Sequence, residues 1–135
     1  MTLRYLLDTN ICIYIAKQKP QSVLDKFETL AVGEVGMSTI TFGELFFGTQ
    51  KSHHVKSNTE NLEKLIALIP ALPLPTETGK QYGIIRNKLE KKGQMIGNND
   101  LWIAAHALAA DLILVTNNNK EFSRIPHLKI ENWVE

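Results

Sequence analysis

Apolar residues fall along this chain in two kinds of run, short unbroken stretches and longer stretches spaced for one face of a helix. Leu3, Tyr5, Leu6 and Leu7 read as a short buried strand over residues 3–7, stopped by Asp8-Thr9-Asn10. Residues 11–17 continue as an apolar helix. Pro20 suits the first turn of a second helix over 21–30, with Val23, Leu24 and Phe27 on its apolar face and Gly33 as a stop. Residues 35–38 predict a second strand, and Thr39 or Thr41 begins a helix carrying Gly43-Glu44-Leu45-Phe46-Phe47-Gly48. Leu62, Leu65, Ile66 and Ile69 form one stripe on an amphipathic helix over 58–69, ended by Pro70.

Three prolines in Pro70-Ala71-Leu72-Pro73-Leu74-Pro75 suit a short edge strand or a turn. Thr76 and Glu77 mark the start of a helix that runs through 80–92 and is closed by Gly93. Residues 101–110 are small and mostly apolar, which predicts a helix buried on most sides. Residues 112–115 form a β-branched strand run that ends in the turn Thr116-Asn117-Asn118-Asn119, and 128–131 make a last short strand. Strands alternate with helices, and most of the strand runs are uniformly apolar. That pattern predicts an α/β fold, a three-layer α/β/α sandwich around a mainly parallel sheet of about five strands covered on both faces. No linker, repeat or low-complexity tract divides the chain, so one domain over 1–135 is expected.

Composition narrows this little: 44% hydrophobic and 21% charged residues exclude disorder. Charge changes the picture more. Fifteen Lys+Arg against fourteen Asp+Glu leave a formal net charge of +1, which argues against a strongly basic nucleic-acid coat. It leaves room for a basic patch beside an acidic one. The single Cys12 has no disulfide partner, and with four dispersed His it gives no zinc-ligand spacing. No apolar stretch reaches the ~18 residues of a membrane span. Asp8 and Asn10 interrupt the N-terminal apolar run and no small-residue cleavage site follows, so the cytoplasm is the expected compartment and no membrane partner is expected.

In an open α/β sheet the functional crevice lies beyond the carboxyl ends of the strands. Asp8 follows the first strand, Asp100 precedes the buried helix over 101–110, and Glu44 has apolar or glycine neighbours. Each has a plain structural reading: Asp8 and Asp100 as helix N-caps, Glu44 as a solvated helix residue. Together they say more. Carboxylates brought together repel unless a cation sits between them. A set without His or Cys ligands suits a hard cation, Mg²⁺ or Mn²⁺, which binds phosphate oxygens and activates water. Neither phosphate-loop motif, G-x-x-x-x-G-K-[ST] or G-x-G-x-x-G, is present.

Several other residues have two readings. Lys88, Lys91 and Lys92, with Arg86 nearby, are either a solvated helix end or a phosphate-backbone contact leading into the acidic site. His53-His54 reads as a solvated turn, His106 as structural, Cys12 as a small buried hydrophobe, and Trp102 and Trp133 as core or interface. Core packing is the default for Phe42, Phe46 and Phe47, with a partner groove as the alternative.

A specific likeness follows from Leu7-Asp8-Thr9-Asn10, Phe42-Gly43-Glu44-Leu45, the block Ile96-Gly97-Asn98-Asn99-Asp100-Leu101-Trp102-Ile103-Ala104-Ala105-His106-Ala107, then Leu114-Val115-Thr116-Asn117-Asn118, Glu121-Phe122 and Glu131-Asn132-Trp133. In order and spacing, over residues 4–133, these resemble PIN-domain ribonucleases of the VapC toxin type from bacterial toxin–antitoxin modules. The resemblance implies a PIN-like fold and a Mg²⁺- or Mn²⁺-dependent endoribonuclease that leaves 5′-phosphate and 3′-hydroxyl ends. It implies tRNA as substrate class, initiator tRNA first, with translation as the process stopped. It also implies a homodimer, a VapB-type antitoxin whose tail blocks the acidic site, and a higher hetero-oligomer with that antitoxin.

The resemblance places the family's first three acidic ligands on Asp8, Glu44 and Asp100, with Asp8 and Asp100 binding the metal most directly. The family often carries a fourth acid just after the T-x-x turn. Here no acid follows that turn until Glu121, so the fourth position falls either to Glu121, through water, or to Asn118 as a neutral ligand. Thr9, Asn10 and Thr116 match polar residues that orient the carboxylates or the attacking water. Two competing readings stand beside this one. A phosphatase using Asp8 as nucleophile lacks the D-x-D pattern, since position 10 is Asn. A catalytically silent RNA- or protein-binding module is disfavoured by the three acids occurring together.

Overall fold

Tyr5, Leu6 and Leu7 form a fully buried strand, β1 (Tyr5–Leu7), at the centre of the molecule. The structure is a computed structural model that describes residues 2–134. After β1 come α1 (Thr9–Lys17), α2 (Gln21–Glu28), β2 (Val35–Ser38), α3 (Thr39–Lys51) and α4 (Val55–Leu68). The chain continues through β3 (Ala71–Leu72), α5 (Glu77–Lys91), α6 (Asn98–Ala110), β4 (Ile113–Val115), α7 (Asn119–Phe122) and β5 (Ile130–Glu131).

The strands lie in the order β3-β2-β1-β4-β5, and every neighbouring pair is parallel. Alternation along the strands sorts side chains to two faces. Tyr5, Leu7, Met37 and Val115 pack with Ile11, Cys12, Val23, Leu62, Leu65 and Trp133 in one core. Leu6 and Leu114 pack with Ile85, Leu89, Leu101, Ile103 and Phe122 in the other. Helices α1, α2 and α4 therefore cover one face and α5, α6 and α7 the other, which is the α/β/α sandwich expected. β1 is the switch point of the sheet, since β2 lies on one side of it and β4 on the other.

Two glycines answer to geometry. Gly93 takes φ +65 just after α5, where it ends the helix as a left-handed residue. Gly36 in β2 has no room for a side chain, because a Cβ there would lie 2.6 Å from Leu72 Cδ1 on the neighbouring strand.

Several elements differ from the sequence expectation. α3 runs on to Lys51, and α4 starts at Val55 rather than 58. Pro20 sits at the extended N-cap position of α2 rather than in its first turn. The turn after Thr116 contains a further helix, α7. Phe46 and Phe47 are 40% and 63% exposed, so core packing fails for both, while Phe42 is half-buried against the first core. Lys51 stacks its ammonium over the Phe47 ring. Cys12 is fully buried and its burial pushes the thiol well above the usual range, as suits a small hydrophobe. His106 is buried with Nδ1 3.0 Å from Ser38 Oγ, and burial lowers its pKa, so it is a neutral core histidine. No helix among the described residues is long and apolar enough to cross a membrane.

Candidate active site

Parallel packing sends the C-terminal ends of β1, β2 and β4 to one edge, and the sequence places a polar residue at or directly after each end. Asp8 follows β1, Ser38 ends β2 and caps α3, and Thr116 follows β4. Asp8 is both a cap and a site residue. Its Oδ1 accepts from the Thr9 backbone N–H at 2.8 Å, at the start of α1. Its Oδ2 accepts the Thr116 hydroxyl at 2.8 Å. Thr116 is fully buried and its Oγ1 accepts from the Asn118 backbone N–H at 3.0 Å, which leaves its single proton for Asp8.

Glu44 reaches the same place from α3. Thr9 donates its hydroxyl to Glu44 Oε1 at 2.7 Å, and Thr9 Oγ1 also lies 3.3 Å from Thr41 Oγ1. Thr41 is buried and sits one turn before Glu44 on α3. Thr9 is thus the link between the first two carboxylates.

Asp100 lies in the first turn of α6, not at its cap. Gly97 is the cap residue and offers no side chain to the helix end. Asp100 Oδ2 folds back so that a Cβ on Gly97 would lie only 3.5 Å from it. The Asp100 carboxyl is pushed up to about 6, first by burial and then by the charges of Asp8, Glu44 and Glu121. Asp8 is also raised, first by burial and lastly by Glu44, against the opposing hydrogen bonds from Thr116 and Thr9. Four carboxylates from four segments therefore share one electrostatic neighbourhood. None of them takes part in an ion pair among the described residues.

The set is all oxygen, which fits a hard divalent cation rather than zinc or copper. Among the described residues, no three Asp, Glu, His or Cys side chains converge closely enough to hold an ion by themselves. Hard cations of the Mg²⁺ class keep several waters and take one or two carboxylates, so an open cluster of this kind suits them.

The remaining sequence candidates are placed as follows. Asn118 joins the site through its backbone N–H, and its side chain caps nothing at the start of α7. Glu121, in α7, is half-buried and acts on Asp100 by charge. Asn10 is exposed in the first turn of α1, away from the bonds that tie the carboxylates. Arg86 is committed within its own helix: it pairs with Glu90 Oε1 at 3.0 Å and donates to Tyr82 Oη at 2.8 Å. Lys91 and Lys92 are exposed where α5 ends, and Lys88 borders a cleft with Ile84, Leu108 and His127.

Residues to which the sequence reading assigned no role also frame the site. Asn132 Nδ2 donates to Asn117 Oδ1 at 3.2 Å and Asn119 Oδ1 at 3.1 Å, tying the turn after β4 to the end of β5. Asn117 Nδ2 in turn donates to Tyr14 Oη at 3.3 Å. The run of three asparagines was the only local hint of this lattice, and it names no partner.

Known proteins place this geometry. Residues 5–128 match the PIN domain. The chain is 41% identical over 132 residues to a protein of Haemophilus influenzae named Ribonuclease VapC2, covering 98% of this chain and 99% of that one. It is 38% identical over 131 residues to the tRNA(fMet)-specific endonuclease VapC of Shigella flexneri, covering 97% and 98%. It also superposes on a chain of VapBC2 from Rickettsia felis, solved bound to a DNA fragment from their promoter. The TM-score is 0.89 at 41% identity, over 97% of this chain and 99% of that one. By that match and by these relatives, the chain belongs to the PIN-domain family, among the VapC ribonucleases.

Proposed function

We propose that this chain is a metal-dependent endoribonuclease, the toxin of a toxin–antitoxin pair, cutting tRNA and in particular initiator tRNA. The observation that carries the reading is the cluster itself: Asp8 and Glu44 are tied together through Thr9, with Thr116 holding Asp8, Asp100 and Glu121 lie in the same electrostatic neighbourhood, and none of the four is in an ion pair among the described residues. Uncompensated negative charge at a strand edge is costly unless a cation offsets it. The tRNA target rests on the likeness to the Shigella flexneri relative, a tRNA(fMet)-specific endonuclease. Tyr14 and the asparagine lattice frame that edge.

Mg²⁺ or Mn²⁺ would be held by Asp8 and Asp100, with Glu44 and Glu121 completing the charge, and when bound would polarise a phosphate and acidify a water. Thr116 keeps Asp8 Oδ2 in place, and Thr9 fixes Glu44 relative to Asp8. Asn118, through its backbone, holds the Thr116 hydroxyl proton on Asp8. Lys91 and Lys92 attract the RNA backbone without base preference.

A VapB-type antitoxin is the partner this reading assigns, on the strength of the Rickettsia felis VapBC2 likeness, with a toxin homodimer inside a larger hetero-oligomer in the cytoplasm. The exposed Phe46 and Phe47 on α3 are the apolar surface for such contacts. The test is incubation with bulk RNA and with a small phosphate ester, each with Mg²⁺, Mn²⁺ or EDTA, followed by mapping of new 5′ ends. Discrete cuts in tRNA with metal and none with EDTA are expected. Ester hydrolysis without RNA cleavage would favour a phosphatase, and undiminished cleavage in EDTA would remove the metal from the reading.

A further inference from the structure

We infer that Tyr82 is a positioning residue for Asp100, clasping the first turn of α6 from behind so that the carboxylate faces the site. The inference rests on the nuclease reading above for the role of Asp100. α6 starts without a capping side chain, since Gly97 has none to offer, and the connection before it is largely exposed apart from Ile96. Something else must fix where its first turn sits.

Tyr82 is that contact. Its hydroxyl bonds Asn98 Oδ1, and its ring stacks on Trp102 with centroids 3.8 Å apart and planes 10° from parallel. Asn98 and Trp102 are four residues apart, so they sit one above the other on one flank of the helix. Asp100 lies midway between them in sequence and so projects from the opposite flank, toward Asp8, Glu44 and Glu121. A single side chain of α5 thereby grips both ends of the turn that carries the carboxylate.

Arg86 sets the direction of the grip. Its guanidinium donates to Tyr82 Oη at 2.8 Å while pairing with Glu90, so the tyrosine oxygen is an acceptor there and its own proton goes to Asn98. The Asn98 amide oxygen is thus turned toward α5. Trp102, read from sequence only as core or interface, becomes the floor of this clasp.

The test compares Tyr82→Phe, which keeps the ring, with Asn98→Ala, which removes the partner. Three readouts apply to each: Mn²⁺ affinity by electron paramagnetic resonance, kcat and KM on a tRNA substrate, and Tm. Tyr82→Phe should weaken Mn²⁺ binding by about fivefold and lower kcat by about tenfold, with KM within about twofold. Tm should change little, and the double variant should be no worse than either single one. Should Tyr82→Phe unfold, Asn98→Ala carries the same expectations. Variants that bind Mn²⁺ and cleave like the unmodified protein overturn the inference, as does a loss that follows Tm alone. A protein that loses Mn²⁺ affinity on Tyr82→Phe yet cleaves no RNA in either form keeps the positioning role and overturns the nuclease reading. A protein that neither binds Mn²⁺ nor cleaves overturns both.

Discussion

Thr116 donates its hydroxyl to Asp8 Oδ2 at 2.8 Å, joining residues 108 positions apart across the carboxyl ends of two adjacent parallel strands. The bond lowers the Asp8 pKa against the burial that raises it. Thr116→Val keeps the shape and removes the donor. It should lower cleavage by about 10- to 100-fold, as loss of a partner that orients a ligand does. Rates at saturating RNA, measured beside a circular-dichroism spectrum, check this, and a rate equal to the unmodified protein would deny Thr116 the role.

Asp8→Asn tests the carboxylate itself. It retains the cap to α1, since an amide oxygen still accepts from Thr9 N–H. Folding should therefore survive while cleavage falls by about a hundredfold or more. Intact thermal unfolding together with lost RNA cutting is the expected pair of results.

Asp100 ties stability to pH. Its carboxyl is raised from the usual 3.8 to about 6, so between those values the folded protein holds a proton that the unfolded chain has released. Stability falls as pH rises through that window, and the penalty is complete above it, on the order of 1–2 kcal/mol once solvent screening of this half-buried group is allowed for. Asp100→Asn removes the penalty. It should raise Tm by several degrees at pH 7.5 and by little near pH 4, while abolishing cleavage. Mn²⁺ should stabilise the unmodified protein and not this variant. Paired thermal scans at the two pH values decide it.

Lys91 and Lys92 are free to meet phosphates, whereas Arg86 is spent on Glu90 and Tyr82. Reversing both lysines to Glu should weaken RNA binding and lower the slope of log affinity against log salt by about two or more. Arg86→Gln should leave that slope nearly unchanged. Filter binding of inactive Asp8→Asn protein at several salt concentrations separates these outcomes, and an unchanged slope for the lysine variant would move the RNA path elsewhere.

Much of the architecture could be read in the sequence because its signals are local. The unbroken apolar runs of β1, β2 and β4 mark strands buried on both faces, and the Leu62, Leu65 and Ile69 stripe marks α4. The acids also stood out, because each adjoins a buried segment. What escaped has no local signature. α7 is four residues long, too short to show a period. Asp100 looked like a cap because Gly97 before it carries no capping side chain. Phe46 and Phe47 are hydrophobic by type, and only the packing of α3 decides that they face outward. The contacts of Tyr82 with Asn98 and Trp102, and of Asn132 with the turn after β4, join segments that no spacing rule connects.

The strand order has a consequence in time. β1 lies between β2 and β4, so Asp8 is made early but receives Thr116 only after most of the chain exists. Until β4 has left the ribosome and inserted beside β1, Asp8 has no hydroxyl to hold it, and Glu121 has not yet been delivered by α7. A nascent or truncated chain lacking this segment therefore carries an unfinished carboxylate cluster. The carboxylate cluster is completed only with the sheet, and the last segments of the chain to be made are the ones that finish it.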